Sequence, residues 1–243
     1  MKTRQATLML LVIASLLGCS RSKPAVVALK PTAYGTAIVE VSGGKQVAGV
    51  GSLLDQPVVV QANDDQGNGV TGAAVTMHGP QGVLFTPASG LTDSSGQFTT
   101  TVSLGETSGR YRITASTPAK NGKPLDLALE EIALGYEQNL GRQIARQYCS
   151  RCHDPESTRE RVSNFDNLDP KPHAFSDGAT LNKLGDADLN AIISHGGPAL
   201  SRSPEMPPYG YTLGKSDIQA LIAYIRAVAD PPYHSSGVIY AQK

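Results

Sequence analysis

In the stretch YEQNLGRQIARQYCSRCH, residues 136–153, Leu140, Ile144 and Tyr148 recur at steps of four. That spacing places them on one face of a helix over 137–149. The helix closes on Cys149 and Cys152, three positions apart, with His153 following at once. Upstream of about Leu134-Gly135 the pattern differs, and short β-rich runs are each closed by a turn signal. Two domains are expected, the first all β and the second all α. The 243 residues suffice for both.

Cys149-Ser150-Arg151-Cys152-His153 has the C-x-x-C-H form of covalent haem attachment. Two thiols on one helical turn can reach both vinyl groups of a single porphyrin, and the adjacent imidazole then points at the iron. Rival readings fit the surroundings less well. A thioredoxin-like pair would follow a strand and open a helix, whereas this pair closes one. A zinc site would want two more ligands at short spacing, and no further Cys stands nearby.

Two further helices are expected. One runs over 186–195, buries Leu189, Ile192 and Ile193, and stops at Gly196-Gly197. The other is capped by Ser216-Asp217, runs over 218–229 on Ile218, Leu221, Ile222 and Ile225, and ends before Pro231-Pro232. Three helices joined by long Pro/Gly-rich loops make a thin core, which a haem would fill.

Several features beyond the motif resemble the class I c-type cytochromes across 136–230. Gly141 lies eight residues before the first Cys, Tyr224 sits within DIQALIAYIRAV, and EMPPYG lies between the last two helices. The resemblance implies an all-α class I cytochrome c fold over 135–231 and one covalent haem c held by Cys149 and Cys152. It makes His153 the proximal ligand and Met206 the distal one. A thioether suits low-spin iron and raises the potential relative to a second imidazole. Pro207 and Pro208 would stiffen that loop. The bland alternative is a core Met filling space, and His173 and His195 are rival ligands. The resemblance also implies that Tyr224 packs near Gly141, and that a proline carbonyl accepts the N–H of His153. Pro170 and Pro172 are both candidates for that carbonyl. Ala145 stands where an aromatic is usual, and is expected to loosen the contact between first and last helices. Tyr209, Tyr211, Arg151 and Arg202 are candidates for the haem edge or propionates.

The first half carries strand signals at 57–62, 70–77, 97–103 and 111–115. Asp64, Asp65 and Asp93 lie in turns between them, and read as turn formers bonding their own backbone in preference to calcium ligands. The pieces GGKQVAGVGSLLDQPVVVQANDDQGNGVTGAAVTM, TDSSGQFTTTVSLG and GRYRITA resemble the Ig-like repeats of intimin/invasin-type proteins. The resemblance implies an Ig-like β-sandwich over 37–134.

At the start, Lys2 and Arg4 precede an apolar run over 6–17, too short to span a bilayer. It ends in Leu16-Leu17-Gly18-Cys19, which resembles the bacterial lipoprotein signal. The expected layout is a signal peptide over 1–18, a tether over 19–36 lipidated at Cys19, the two domains, and a tail over 232–243. Several acyl chains give stable anchoring. The cysteine count then closes: of three Cys, one takes lipid and two take haem.

Net charge is zero. Residues 37–135 hold nine acids against five bases, and 136–230 hold twelve against ten. No basic excess exists to bind nucleic acid by field alone. The expected function is single-electron transfer by an anchored monohaem cytochrome in the bacterial envelope, on the periplasmic or outer-membrane/extracellular side. Its partners would be redox proteins, with the lipid anchor in the membrane and no small-molecule substrate. Two other readings are a peroxidase-like haem enzyme with an open distal position, and an adhesion or sensor protein in which the Ig-like domain is the working part.

Overall fold

The computed structural model describes residues 30–153 and 167–235. Cys19, the signal segment, most of the tether and the end of the tail lie outside the described residues.

The first half is a sandwich of two sheets. One carries the order β1 (Ala37–Ser42), β3 (Val58–Asn63), β7 (Gln97–Ser103), β5 (Leu84–Thr86). The other carries β2 (Val47–Gly49), β9 (Pro124–Leu134), β8 (Gly109–Pro118), β4 (Ala74–His78), β6 (Ser89–Leu91). Strict alternation drives the packing. Val58, Val60, Phe98 and Val102 face Met77, Ile113, Ala115 and Leu129 in one apolar core. The turns between strands are closed by carboxylates. Asp64 Oδ1 accepts from the amides of Gln66 and Asn68, and Asp93 Oδ1 accepts from those of Ser95 and Gln97. These aspartates therefore serve their own backbone.

β9 is the strand on which the molecule turns. Its odd positions Leu129 and Ala133 point into the sandwich core. Its even positions Ile132 and Leu134, with Val47 of β2, belong to the core of the helical half. Only Gly135 separates β9 from α1 (Tyr136–Ile144), so the two halves are joined without a linker. The other helices are α2 (Gly178–Leu181), α3 (Asp186–His195) and α4 (Lys215–Val228).

Three helices share one opening device. Gly135, Gly185 and Gly214 each donate their amide to a side chain three residues on: Gln138 Oε1 at 2.9 Å, Asp188 Oδ2 at 3.0 Å and Asp217 Oδ2 at 2.9 Å. α4 therefore begins before Ser216-Asp217, with Asp217 as the residue that reaches back.

α1 and α4 cross at Gly141. A Cβ there would lie 1.9 Å from the Ala220 carbonyl oxygen and 2.8 Å from Tyr224 Cβ. Ala145 is fully buried in the same core as Ala220 and Tyr224. The helix widens into a π-helical turn over Ala145–Cys149, where Ser150 N–H donates to Ala145 O at 3.0 Å. The aromatic contact with Tyr224 comes from a loop residue, Phe175, edge-on at 6.4 Å. Arg226 of α4 ties the smaller helices down, donating to Leu181 O and Leu184 O and pairing with Asp186.

Candidate functional site

One apolar cavity of about 300 Å³ lies between the π-helical turn, α3, α4 and the two long loops of the helical half. Cys149, Cys152, His153 and Met206 all line it, with Leu181, Leu189, Ile193, Leu221 and Ile225 among its walls.

Cys149 is buried beneath the turn that delivers it. Burial, reinforced by the Cys152 sulfur, pushes the Cys149 thiol up to about 12. A thiol–disulfide catalyst needs the opposite shift, toward a thiolate at neutral pH. Cys149 is thus poorly suited to be an attacking thiolate.

His153 is held from two sides. Its Nδ1 lies 2.8 Å from the carbonyl oxygen of His173. A carbonyl only accepts, so Nδ1 carries the proton and Nε2 keeps its lone pair free for a metal. Phe175 stacks on the ring, centroids 5.0 Å apart. Burial lowers the pKa of His153, which favours the neutral, ligating form. The supporting carbonyl belongs neither to Pro170 nor to Pro172, but to the next residue. Proline at 172 restricts that backbone, and the carbonyl it aims is one position further on.

His173 is itself braced, its Nδ1 lying 3.0 Å from Asp177 Oδ2. Asp177 also caps α2, accepting from Thr180 N at 3.1 Å through its other oxygen. His173 thus works from the same side as His153. His195 is exposed at the end of α3 and does not line the cavity.

Met206 enters from the loop after α3, and Gly196-Gly197 cradle its backbone. Gly197 N–H donates to Met206 O at 3.0 Å. Gly196 has φ +82°, and a Cβ there would lie 2.8 Å from the same oxygen. Tyr209 and Arg202 line the cavity; Tyr211 is fully exposed away from it, and Arg151 is exposed. The sequence reading missed Phe175, Asp177 and the part played by the paired glycines. Gly-Gly was visible only as a helix stop.

Two thiols, a neutral imidazole with a free nitrogen and a thioether converge on one apolar cavity. That donor set fits a c-type haem: sulfurs for attachment, one nitrogen and one soft sulfur that could ligate iron, and hydrocarbon for the macrocycle. Fold and site together define an Ig-like β-sandwich followed by a helical c-type cytochrome domain.

Residues 137–225 match the family model described as "Cytochrome C oxidase, cbb3-type, subunit III". Among solved structures, the D00-D0 domain of intimin is 14% identical over 45% of this chain and 51% of its own, with a TM-score of 0.31. The Yersinia pseudotuberculosis adhesin InvE is 14% identical over 40% and 32%, with a TM-score of 0.33. Invasin, a bacterial integrin-binding protein, is 18% identical over 40% and 19%, with a TM-score of 0.31. The chain thus spans about half of the intimin fragment and smaller shares of the other two. No curated protein matches the chain.

Proposed function

We propose that this protein is a lipid-anchored monohaem cytochrome that passes single electrons between protein partners in the bacterial envelope. Cys149 and Cys152 would hold the haem, His153 and Met206 would ligate its iron, and Cys19 would carry the lipid. The observation that carries this reading is the convergence of those two thiols, the imidazole and the thioether on one apolar cavity.

Bound haem supplies a one-electron Fe(III)/Fe(II) couple. The rest is done by the chain. The His173 carbonyl holds the His153 proton at Nδ1 and so fixes the ring. The leucine and isoleucine walls keep water from the cavity, and Gly196-Gly197 hold the Met206 backbone in place. With His153 and Met206 both supplying ligands, the chain would leave the iron no open position for a substrate, which favours a carrier over a peroxidase-like enzyme. No helix among the described residues is long and apolar enough to cross a membrane. The anchor in this reading is the lipid on Cys19. The sandwich, packed on the helical half through Val47, Ile132 and Leu134, would set the distance and direction of the haem relative to that anchor.

Absorption spectra in both redox states test the reading. The oxidised protein should show a Met-to-iron charge-transfer band, and the reduced protein should not respond to carbon monoxide. Met206→Ala should abolish the band and admit carbon monoxide. A wild-type protein that is high-spin and binds carbon monoxide would instead establish the enzyme reading.

A further inference from the structure

We infer that Tyr209 is a positioning residue for the distal ligand, fastening the loop that carries Met206 to the turn that carries the cysteines. The inference rests on Met206 being that ligand. Tyr209 lies three residues beyond Met206 in a segment without helix or strand.

The backbone of that segment is anchored on α3. Tyr209 N–H donates to Ile193 O at 2.9 Å and Gly210 N–H to Ser194 O at 3.0 Å. Met206 O is held by Gly197 N–H, and Tyr209 O accepts from Thr212 and Leu213. These bonds fix the loop to one wall of the cavity. They do not fix it to the wall bearing Cys149.

The side chain makes that second attachment. Tyr209 Oη donates to the carbonyl oxygen of Tyr148 at 2.9 Å, across 61 residues of sequence. The two rings meet edge to face, 6.2 Å apart at 67°. The acceptor exists because of how the helix ends. Its last turn is π-helical, and the amides of Cys152 and His153 both turn onto the carbonyl of Cys149. The Tyr148 carbonyl is passed over by both and left for the hydroxyl. A carbonyl at a helix end needs such a partner, because leaving it bare in a part-buried place is unfavourable. Burial also raises the Tyr209 pKa, so the phenol stays a donor at neutral pH.

A thioether is a weak, neutral ligand, and its hold on iron depends on how far its loop can swing. Removing one neutral hydrogen bond worth about 1 kcal/mol should shift the competition between Met206 and an added ligand by about 5-fold.

The test compares wild-type holoprotein with Tyr209→Phe, which keeps the ring and deletes the hydroxyl. Each oxidised protein is titrated with imidazole while the Met-to-iron charge-transfer band is followed. The hook requires Tyr209→Phe to bind imidazole about 5-fold more tightly, and to lose the band at lower pH on alkaline titration. Identical curves overturn it, as does a fall in melting temperature with unchanged curves, which marks a merely structural role. If Tyr209→Phe fails to accumulate, NMR of the reduced wild-type protein decides: a slowly exchanging Tyr209 hydroxyl proton supports the hook, and a freely exchanging one overturns it. A wild-type spectrum without the band removes Met206 as ligand, a failure distinct from that of the hook.

Discussion

Glu131 sits where a carboxyl group is costly. It is fully buried in the sandwich, on the face of β9 shared by Leu129 and Ala133. One oxygen accepts from Gln46 N–H at 2.7 Å, and the other has no partner among the described residues. Burial, opposed by that hydrogen bond and aided by Glu40 and Glu130, pushes its pKa to about 8 from an ordinary 4.5. The folded protein therefore holds a proton that the unfolded chain releases above pH 4.5. Stability should fall as pH rises from about 4.5 towards 8, and stay low above that. Glu131→Gln keeps the acceptor for Gln46 and removes the ionisation. Denaturant titrations at pH 5 and pH 9 should show a wild-type loss of about 4 kcal/mol, and a much smaller one in the variant. Equal pH dependence in both proteins would place the titrating group elsewhere. Nothing in the sequence marks this residue, because Glu130-Glu131 looks like a charged pair on a surface. The cysteines and His153 of the candidate site could be singled out in the sequence because their chemistry is local and their spacing fixed. Phe175 was not, because its partner His153 lies 22 positions away in sequence and only the fold brings the rings together.

At the scale of elements, period was the readable quantity. The strands over 58–63 and 97–103 and the helices α3 and α4 carry enough apolar repeats to declare themselves. β2, β5 and β6 have three residues each, and α2 has four, too few for a period to show. The π-helical turn was hidden for another reason: widening leaves Leu140, Ile144 and Tyr148 on the same face, so the apolar pattern does not register it. Gly141 was legible through the family resemblance, and the crossing shows its physical reason. An added methyl would overlap the Ala220 carbonyl of α4. Gly141→Ala should therefore destabilise the helical half by about 3 kcal/mol by forcing the helices apart. Thermal melting followed at the haem band reads this directly. A variant melting with the wild type would mean the crossing has slack the geometry does not show.

Across the whole molecule, the two halves share one core. Val47, Ile132 and Leu134 of the sandwich pack in the same cluster as Ile144, Leu221 and Tyr224. Arg110 of β8 adds a polar clasp. Its guanidinium pairs with Glu130 and donates to the carbonyls of Ala227 and Ala229 at the end of α4, the first at 3.3 Å. Those are carbonyls that a helix C-terminus otherwise leaves open, where a cation is favoured. Calorimetry of the intact protein should show the halves melting in one transition. Arg110→Ala should cost about 2 kcal/mol and pull the transition apart. Two separate wild-type transitions would show that the shared core does not couple them. Sequence could announce two domains from the change of period at Gly135. It could not announce their fusion, since Ile132 and Leu134 read equally well as strand residues of a free sandwich.

Every assignment in the helical half depends on a porphyrin joined to Cys149 and Cys152. The most direct test of that linkage is the intact mass of native protein, exported by cells competent in cytochrome maturation. The expected mass is that of the lipidated polypeptide plus one haem, with the increment lost when both cysteines are replaced by alanine. A wild-type mass matching lipid and bare polypeptide alone would mean that these cysteines carry no haem.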